Sequence, residues 1–412
     1  AAEATTVSIA GDSLATVDLS TKATAAVTLS GTAGFKDVTT GTFASFTNNS
    51  SSGASTLGAD TTTAGLGTTA TYAGGVGRDI VTFGAQTKAQ TLGAGNDTAY
   101  LTGAALGTGG SIDAGAGTDT LGLTTANAVT ASANELFEAT ISNFEKLDIG
   151  ATAATGTINL ANLDDISVIN ISGAVGHAIV LDSLADGATT TITTSATGGS
   201  VTHTLESSSG SSDKLNLKIT GAAAVTGGTH VMANTETITI EADDTDTDTT
   251  DTDLVHTATL QATKATSVTV TGDAGLNLTN TGNVLITSFD ASAVTGSASN
   301  VTFASANTTT TASVSITGGA GADVLTGGAT KDTINGGAGN DTLASGAGID
   351  TMIGGAGNDT FQFVEANIAS TDTITGGAGT DDLEMTDAAT LVDADFTLAT
   401  SIETITLAAA TN

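Results

Sequence analysis

The stretch from residue 318 to residue 362 divides without a gap into five nonapeptides: GGAGADVLT, GGATKDTIN, GGAGNDTLA, SGAGIDTMI and GGAGNDTFQ. Their glycines permit the positive φ angles of a tight turn and let neighbouring backbones approach closely. The eighth place is apolar in every copy, and it is expected to point inward from a short strand because side chains alternate across a strand. A flexible glycine-rich linker would not keep an apolar residue at a period of nine. The pattern therefore predicts turns and strands in strict succession, with an inward-facing row formed by Leu325, Ile334, Leu343, Met352 and Phe361.

The sixth place of each nonapeptide is Asp, a hard oxygen ligand of the kind that Ca²⁺ prefers together with main-chain carbonyls. If two nonapeptides make one turn of a parallel β-roll, equivalent loops recur every eighteen residues. Asp323, Asp341 and Asp359 then line one edge, and Asp332 and Asp350 line the other. Thr330 replaces glycine in the second copy and weakens the site there. The predicted Ca²⁺ ligands of this block are the carboxylates of Asp323, Asp332, Asp341, Asp350, Asp359, Asp372 and Asp381, with the turn residues Gly318, Ala320, Gly336, Ala338, Gly354 and Ala356.

A second block of the same kind occupies residues 74–122. GGVGRDIVT begins at Gly74, LGAGNDTAY begins at Leu92, and AGAGTDTLG begins at Ala114. Their sixth places are Asp79, Asp97 and Asp119, which we also interpret as calcium ligands, and the spacing of eighteen puts Asp79 and Asp97 on one edge. The block is shorter and more degenerate than the first, so fewer ions are expected here.

Composition favours an extracellular, acidic β-protein. The 412 residues include 43 acidic and 9 basic ones, which gives a formal net charge of −34. This balance argues against nucleic acid as a partner, and no apolar run is long enough to predict a membrane span. Cysteine is absent, so metal is the natural substitute for disulfides. Aromatic residues make up 3% of the chain, which predicts a thin solenoid core.

The rest of the chain reads mainly as short strands. In the first thirty residues, apolar pairs such as Val7 with Ile9 recur at a spacing of ten, whereas residues 48–67 are predicted to form a surface loop. Alternating Thr-rich segments between the two blocks favour a parallel solenoid or a multi-stranded sandwich. A short helix or surface turn is predicted from Ser132 to Phe137, because Ser132 and Glu135 have the spacing of a capping box. The predicted organisation is an N-terminal strand region (1–73), a first roll (74–122), a Thr-rich region (123–317), the main calcium roll (318–384) and C-terminal capping strands with a candidate secretion signal (385–412).

Two acidic features leave alternatives open. A longer internal repeat places Glu145, Glu236 and Glu403 at the start of equivalent strands, where each could ligate a metal or be a solvated edge charge; we favour the edge charge. The run EADDTDTDTTDTD at 241–253 resembles the first half of an EF-hand loop but has neither its glycine nor its bidentate Glu. We interpret it as an acidic loop whose candidate calcium ligands are Asp246, Asp248 and Asp251.

Motifs for catalysis are missing from the sequence. The four histidines are isolated, and neither H-E-x-x-H nor G-x-S-x-G occurs. We therefore expect a protein without enzymatic activity.

The nonapeptides resemble the G-G-x-G-x-D-x-U-x repeat of RTX proteins, which binds calcium. Segments such as LQATKATSVTVTGDAGLNLTNTGN (260–283) and ITSFDASAVTG (286–296) are similar to the lattice-forming part of caulobacter-type surface-layer (S-layer) proteins. The resemblance implies an all-β fold, a right-handed parallel β-solenoid with calcium-binding RTX β-rolls. It also implies type I secretion and a calcium-dependent two-dimensional lattice of identical copies on a Gram-negative cell surface. Attachment to lipopolysaccharide or a surface glycan would use an N-terminal domain that is not recognisable here.

Two other functions remain open at this stage. One is a repeat module of a secreted RTX adhesin that binds glycans or biofilm matrix. The other is an RTX-bearing polysaccharide-modifying enzyme, which would need an acid–base cluster in a groove.

Overall fold

The computed structural model describes residues 6–11, 15–17, 26–32, 34–37, 43–50, 52–58, 66–246, 254–307, 312–387 and 397–408. The chain forms two compact units, Ala1–Ala185 and Asp186–Asn412. Among the described residues, no helix is long and apolar enough to cross a membrane.

The first unit consists of short strands with one helical insertion. Its described elements are β1 (Thr6–Gly11), β2 (Ala15–Val17), β3 (Ala26–Gly31), β4 (Phe35–Asp37), β5 (Phe43–Ser50), β6 (Ser55–Leu57), β7 (Leu66–Ala73), β8 (Ile80–Phe83), β9 (Ala89–Thr91), β10 (Thr98–Leu101), β11 (Ser111–Asp113), β12 (Thr120–Gly122), α1 (Thr125–Ser132), α2 (Glu135–Glu138), β13 (Ile141–Ser142), β14 (Lys146–Asp148), β15 (Gly156–Asn159), a 3₁₀ turn (Leu160–Asn162), β16 (Val168–Ile171) and β17 (Ile179–Leu184).

The second unit consists of strands throughout its described part. They are β18 (Thr189–Ile192), β19 (Ser200–Leu205), β20 (Lys214–Gly221), β21 (Thr226–Val231), β22 (Thr237–Asp244), β23 (Val255–Gln261), β24 (Ser267–Gly272), β25 (Gly275–Asn280), β26 (Ser288–Val294), β27 (Val301–Ala304), β28 (Ser315–Thr317), β29 (Val324–Thr326), β30 (Thr333–Ala338), β31 (Thr342–Ala344), β32 (Thr351–Ala356), β33 (Thr360–Phe363), β34 (Thr373–Ala378), β35 (Asp382–Met385), β36 (Ala399–Thr400) and β37 (Thr404–Thr406).

Within each unit the typical strand pairs in parallel with the strand two positions later, so that one coil contributes one strand to each of two sheets. In the second unit β28, β30 and β32 are neighbours in one sheet, and β29, β31 and β33 are neighbours in the other. The register steps by eighteen residues here, from Ile316 to Ile334 to Met352. The predicted all-β parallel β-solenoid is confirmed, and the sandwich alternative for the Thr-rich region is wrong.

The core of each unit is a narrow column of inward-facing side chains. The five eighth-place residues of the nonapeptides are fully buried. In the first unit Phe46 stacks on Tyr72 with ring centroids 5.3 Å apart, and in the second Phe289 stacks on Phe303 at 4.0 Å. Parallel coils bring equivalent side chains into direct contact, so a few aromatic residues fill a core only two strands wide.

One local prediction is wrong, and the short helix predicted from Ser132 to Phe137 is present only as α2 (Glu135–Glu138), without the expected cap. Residues 48–67 do not form a surface loop, because their described part includes the end of β5, all of β6 and the start of β7, and Asn48 is buried. Ser132 does not begin a helix. It is the last residue of α1, whose N-cap is Thr124, and Asn134 caps α2. In both places small polar residues sit at buried positions between coils, where composition alone predicts exposure.

Candidate metal centre

A ladder of aspartates runs along one edge of the second unit. The backbone N–H of Asp323 donates to Oδ1 of Asp341 at 2.8 Å, and the N–H of Asp341 donates to Oδ1 of Asp359 at 2.9 Å. Asp359 donates in the same way to Asp381 at 2.9 Å. Each carboxylate is thus fixed by the coil before it, and its position in the nonapeptide sets its place in the ladder.

The opposite edge carries a second ladder. Val314 donates its N–H to Oδ1 of Asp332, Asp332 donates to Asp350 at 2.8 Å, and Asp350 donates to Asp372 at 2.9 Å. Thr330, which replaces a turn glycine, donates its hydroxyl to the carbonyl of Ala312 at 2.6 Å. The loop at Thr330 therefore keeps its place in the stack.

The first unit has a ladder of the same geometry. Ser55 donates its N–H to Oδ1 of Asp79 at 2.7 Å, Asp79 donates to Asp97 at 2.7 Å, and Asp97 donates to Asp119 at 2.6 Å. The amide of Asn48 also reaches Oδ1 of Asp79, at 3.3 Å. The carboxylates of Asp79, Asp97 and Asp119 therefore follow one another on a single edge.

The second carboxylate oxygen separates the aspartates into two groups. In Asp323, Asp332 and Asp372 the Oδ2 atom accepts an N–H from its own loop, donated by Gly319, Gly328 and Ala369 respectively. In the other group Oδ2 is buried and has no hydrogen-bond partner; its members in the ladders are Asp79, Asp97, Asp119, Asp341, Asp350, Asp359 and Asp381. A buried oxygen left without a partner is costly. The carboxylates of Asp79 and Asp350 interact with the hydroxyls of Tyr72 and Ser345. Buried carboxylate oxygens that recur along all three ladders fit the binding of cations.

Main-chain carbonyls converge on the same places. A Cβ atom built on Gly336 would overlap Oδ2 of Asp341 and would lie 2.8 Å from the carbonyl oxygen of Gly354 in the next coil. Gly354 stands in the same relation to Asp359 and to the carbonyl of Gly376, and Gly318 to Asp323 and the carbonyl of Gly336. Glycine at the first place of the nonapeptide has no side chain and so leaves space between two oxygens. One is the carboxylate oxygen of its own loop, and the other is a carbonyl oxygen of the next coil. This is the donor chemistry that suits Ca²⁺.

The predicted carbonyl ligands are placed unequally. Gly318, Gly336 and Gly354 lie at these points of convergence. Ala320 and Ala338 lie two residues further on, donating their N–H groups to the carbonyls of Val294 and Gly319. The carbonyl of Ala356 accepts the N–H of Gly339 at 2.7 Å, so part of its acceptor capacity is used between coils.

No group of three or more His, Asp or Glu side chains that could hold a metal occurs among the described residues. Each loop therefore offers one carboxylate, and any ion bound there would take its other ligands from main-chain oxygens. In that arrangement calcium would neutralise the negative charge of these buried carboxylates. The residues Asp341, Asp350, Asp359 and Asp381 in the second unit, and Asp79, Asp97 and Asp119 in the first, would hold it.

The electrostatics of the ladders point the same way. Burial raises the pKa of Asp97 and of Asp341 to about 7 and that of Asp323 to about 6. Burial also raises the pKa of Asp79, Asp119, Asp350 and Asp359. Without metal these groups keep their protons to a higher pH than a solvated Asp does, because desolvation penalises the charged form. A divalent cation would replace the proton.

Glu145, Glu236 and Glu403 each accept the backbone N–H of an aspartate one coil earlier, a contact that the interpretation as solvated edge charges did not include. Glu145 and Glu236 are half-buried, whereas Glu403 is exposed. Glu145 and Glu403 end two of the ladders. Glu145 accepts the N–H of Asp119 at 2.7 Å, and Glu403 accepts that of Asp381 at 2.8 Å. Glu236 does the same for Asp213 at 3.0 Å. Glu has one more methylene than Asp, so it reaches the N–H from a coil whose loop is not glycine-rich. Asp213, which carries a further buried and unpartnered Oδ2, was not predicted from the sequence.

The acidic run at 241–253 is only partly described. Asp246 is exposed and donates its N–H to Oδ1 of Asp244 at 2.7 Å. Asp248 and Asp251 lie outside the described residues, so this candidate site stays a prediction. At its start, Glu241 pairs with Nζ of Lys218 at 2.8 Å, and Asp243 pairs with the same atom.

Comparison with known families identifies the main block. The family model of the RTX calcium-binding nonapeptide repeat matches residues 315–343, 336–362 and 369–384. The chain carries RTX calcium-binding repeats. The matched residues include both aspartate ladders of the second unit, from Asp323 to Asp381. The ladder of the first unit, from Asp79 to Asp119, lies outside this match. A search of curated proteins found no match.

Proposed function

We propose that this protein is a secreted structural protein that assembles, in the presence of calcium, into a two-dimensional surface layer on a Gram-negative cell. The role is structural rather than enzymatic, and its partners are further copies of the same chain. The single observation that carries the proposal is the set of buried, unpartnered Oδ2 atoms along the RTX ladders. They make the folded state dependent on a cation that is abundant outside cells.

Secretion and assembly follow from the same chemistry. Where free calcium is low, stacked carboxylates oppose coil formation, and the chain stays unfolded during type I secretion. Outside, calcium binding to the ladders stabilises the folded coils by mass action. The chain has a formal net charge of −34, and the acidic groups outside the ladders would make neighbouring copies repel each other. Calcium ions bound between the acidic faces of neighbouring copies therefore complete the lattice contacts.

Electron microscopy combined with chelation tests the proposal. Purified protein in millimolar calcium is expected to form ordered sheets. The same protein in EGTA is expected to be dispersed and to lose its β-type circular dichroism at a lower temperature. Magnesium in place of calcium is the control for nonspecific charge neutralisation. Sheets that persist in EGTA would contradict the proposal. Folded but isolated rods in calcium would favour the adhesin module instead.

A further inference from the structure

A groove of about 360 Å³ opens on the first unit beside the start of α1. This volume lies at the small end of the range for ligand pockets. The groove exists because α1 and α2 extend the connection between β12 and β13, which is a short turn in the regular coils. Insertions of this kind in repeat folds map to one face and often carry binding.

One wall of the groove is an aromatic ring held in place by a glycine. Tyr100, Gly122 and Asp148 occupy the same register position on the successive strands β10, β12 and β14. The ring of Tyr100 lies over Gly122, where an added Cβ would overlap the ring. The ring thereby spans the middle strand and comes up to the strand that carries Asp148.

Two strands from Tyr100, at the same register position of the same sheet, the groove presents an oriented carboxylate. Oδ1 of Asp148 accepts the hydroxyl of Ser172 at 2.7 Å and the N–H of Gly150 at 3.1 Å. Oδ2 accepts no hydrogen bond from the described part of the chain and is available to a ligand. Gly150 has φ +59, and an added Cβ there would meet nothing within 4 Å, so the groove is open at this turn.

The start of α1 adds a hydroxyl donor. Oγ1 of Thr124 accepts the N–H of Asn127 at 3.2 Å, which leaves its proton for a ligand. The hydroxyl of Thr125 donates to the carbonyl of Ala151 at 2.7 Å and ties the helix to the floor of the groove. Donor, acceptor and aromatic face are therefore fixed before any ligand arrives, which lowers the entropic cost of binding.

We propose that this groove binds a neutral hexopyranose unit of a glycan. The C–H face of a pyranose packs on an aromatic ring, its hydroxyls donate to a carboxylate such as Asp148, and another hydroxyl accepts from Thr124. No Lys or Arg is among the described residues that line the groove, so an anionic ligand has no counter-charge. The inference does not rest on lattice formation, since the groove needs only the folded first unit.

Saturation-transfer NMR with a panel of methyl glycosides of neutral hexoses and N-acetylhexosamines tests the proposal. The wild-type protein in millimolar calcium is expected to bind at least one glycoside in the millimolar range or tighter. Asp148→Asn is expected to weaken that glycoside about tenfold, because a hydrogen bond to a charged group is lost. Gly122→Ala, which displaces the Tyr100 ring, is expected to weaken it by a similar factor.

A blocking variant separates binding from folding. Ala153 is an exposed lining residue, so Ala153→Trp fills the groove without touching the core and is expected to abolish binding. Ala222→Trp, at an exposed position of the second unit, is the matched control and is expected to bind as the wild type does. No binding across the whole panel, or unchanged binding by Ala153→Trp, overturns the proposal. Neither result bears on the chelator test of lattice formation.

Discussion

Asp341 lies in the middle of a ladder, and replacing it by Asn should change stability in opposite directions with and without calcium. Oδ1 accepts the N–H of Asp323 at 2.8 Å, and the amide oxygen of Asn can keep that bond. The buried Oδ2 would become an amide nitrogen, which donates and cannot ligate a cation. The substitution thus removes one calcium ligand while leaving the coil contact in place.

The magnitude follows from linkage. If calcium is present at about one hundred times the dissociation constant of the site, its binding stabilises the fold by about 2.7 kcal/mol. Asp341→Asn should lose most of this in calcium, which corresponds to a fall in Tm of roughly 5 to 10 °C for a unit of this size. In EGTA at pH 8 the sign should reverse, because the wild type then has to bury a charged carboxylate and the variant does not.

Thermal unfolding followed by circular dichroism measures both conditions. Asp290→Asn is a matched control, since Asp290 is half-buried and lies outside the ladders. Within the described part of the chain its carboxylate accepts one hydrogen bond, from the N–H of Ser292. The control should move Tm little in either buffer. If Asp341→Asn and Asp290→Asn behave alike in calcium, or if Asp341→Asn is the less stable protein in EGTA, the assigned role of Oδ2 is refuted.

Three further predictions concern the core, the ladder ends and pH. Phe361→Ala should destabilise the second unit by about 3–5 kcal/mol in urea unfolding, because Phe361 is fully buried. Gln362→Ala, which removes a half-buried side chain and its hydrogen bond to Glu384, should cost less than Phe361→Ala. Glu145→Ala should cost about 1–3 kcal/mol by leaving the N–H of Asp119 unpaired, and Glu145→Gln should restore most of it; equal losses would contradict the ladder-end role. In EGTA the urea midpoint should fall as pH rises from about 4 to 7, because burial raises the pKa of Asp97 and Asp341 to about 7 in the folded state, whereas Asp in an unfolded chain has a pKa of about 3.9. Saturating calcium should remove that slope, and a midpoint that rises over this interval in EGTA would contradict the assignment.

Much of the main roll could be predicted from the sequence, because its turns admit only glycine at some positions and need an aspartate carboxylate at others. A close coil-to-coil contact admits only glycine at Gly336, and an oxygen ligand at the sixth place selects Asp341, so both recur at a period that is easy to read. The same repeat pattern identified Asp79 and Asp97 in the first unit. In both blocks the residues that the structure requires recur at a fixed spacing in the sequence.

Other features could not be predicted because the same residue type occurs at both buried and exposed positions. Asn48 is buried against Asp79, yet it stands in a Ser- and Asn-rich segment whose composition is typical of exposed loops. Glu145 ends a ladder through its extra methylene, but a Glu at a strand start is usually a solvated charge. The buried pair of His203 and His230, whose Nε2 and Nδ1 atoms lie 3.2 Å apart, looks isolated in the sequence because its partners lie 27 residues apart. Such contacts depend on coil length, which varies outside the nonapeptides.

The position of bound ions tests the central claim most directly. Crystals grown in calcium, with anomalous scattering measured at long wavelength, should show calcium peaks within about 2.3–2.6 Å of Oδ2 of Asp341, Asp350 and Asp359, each also coordinated by main-chain carbonyls of adjacent loops. Folded coils whose Oδ2 atoms show no peak at saturating calcium would contradict the account.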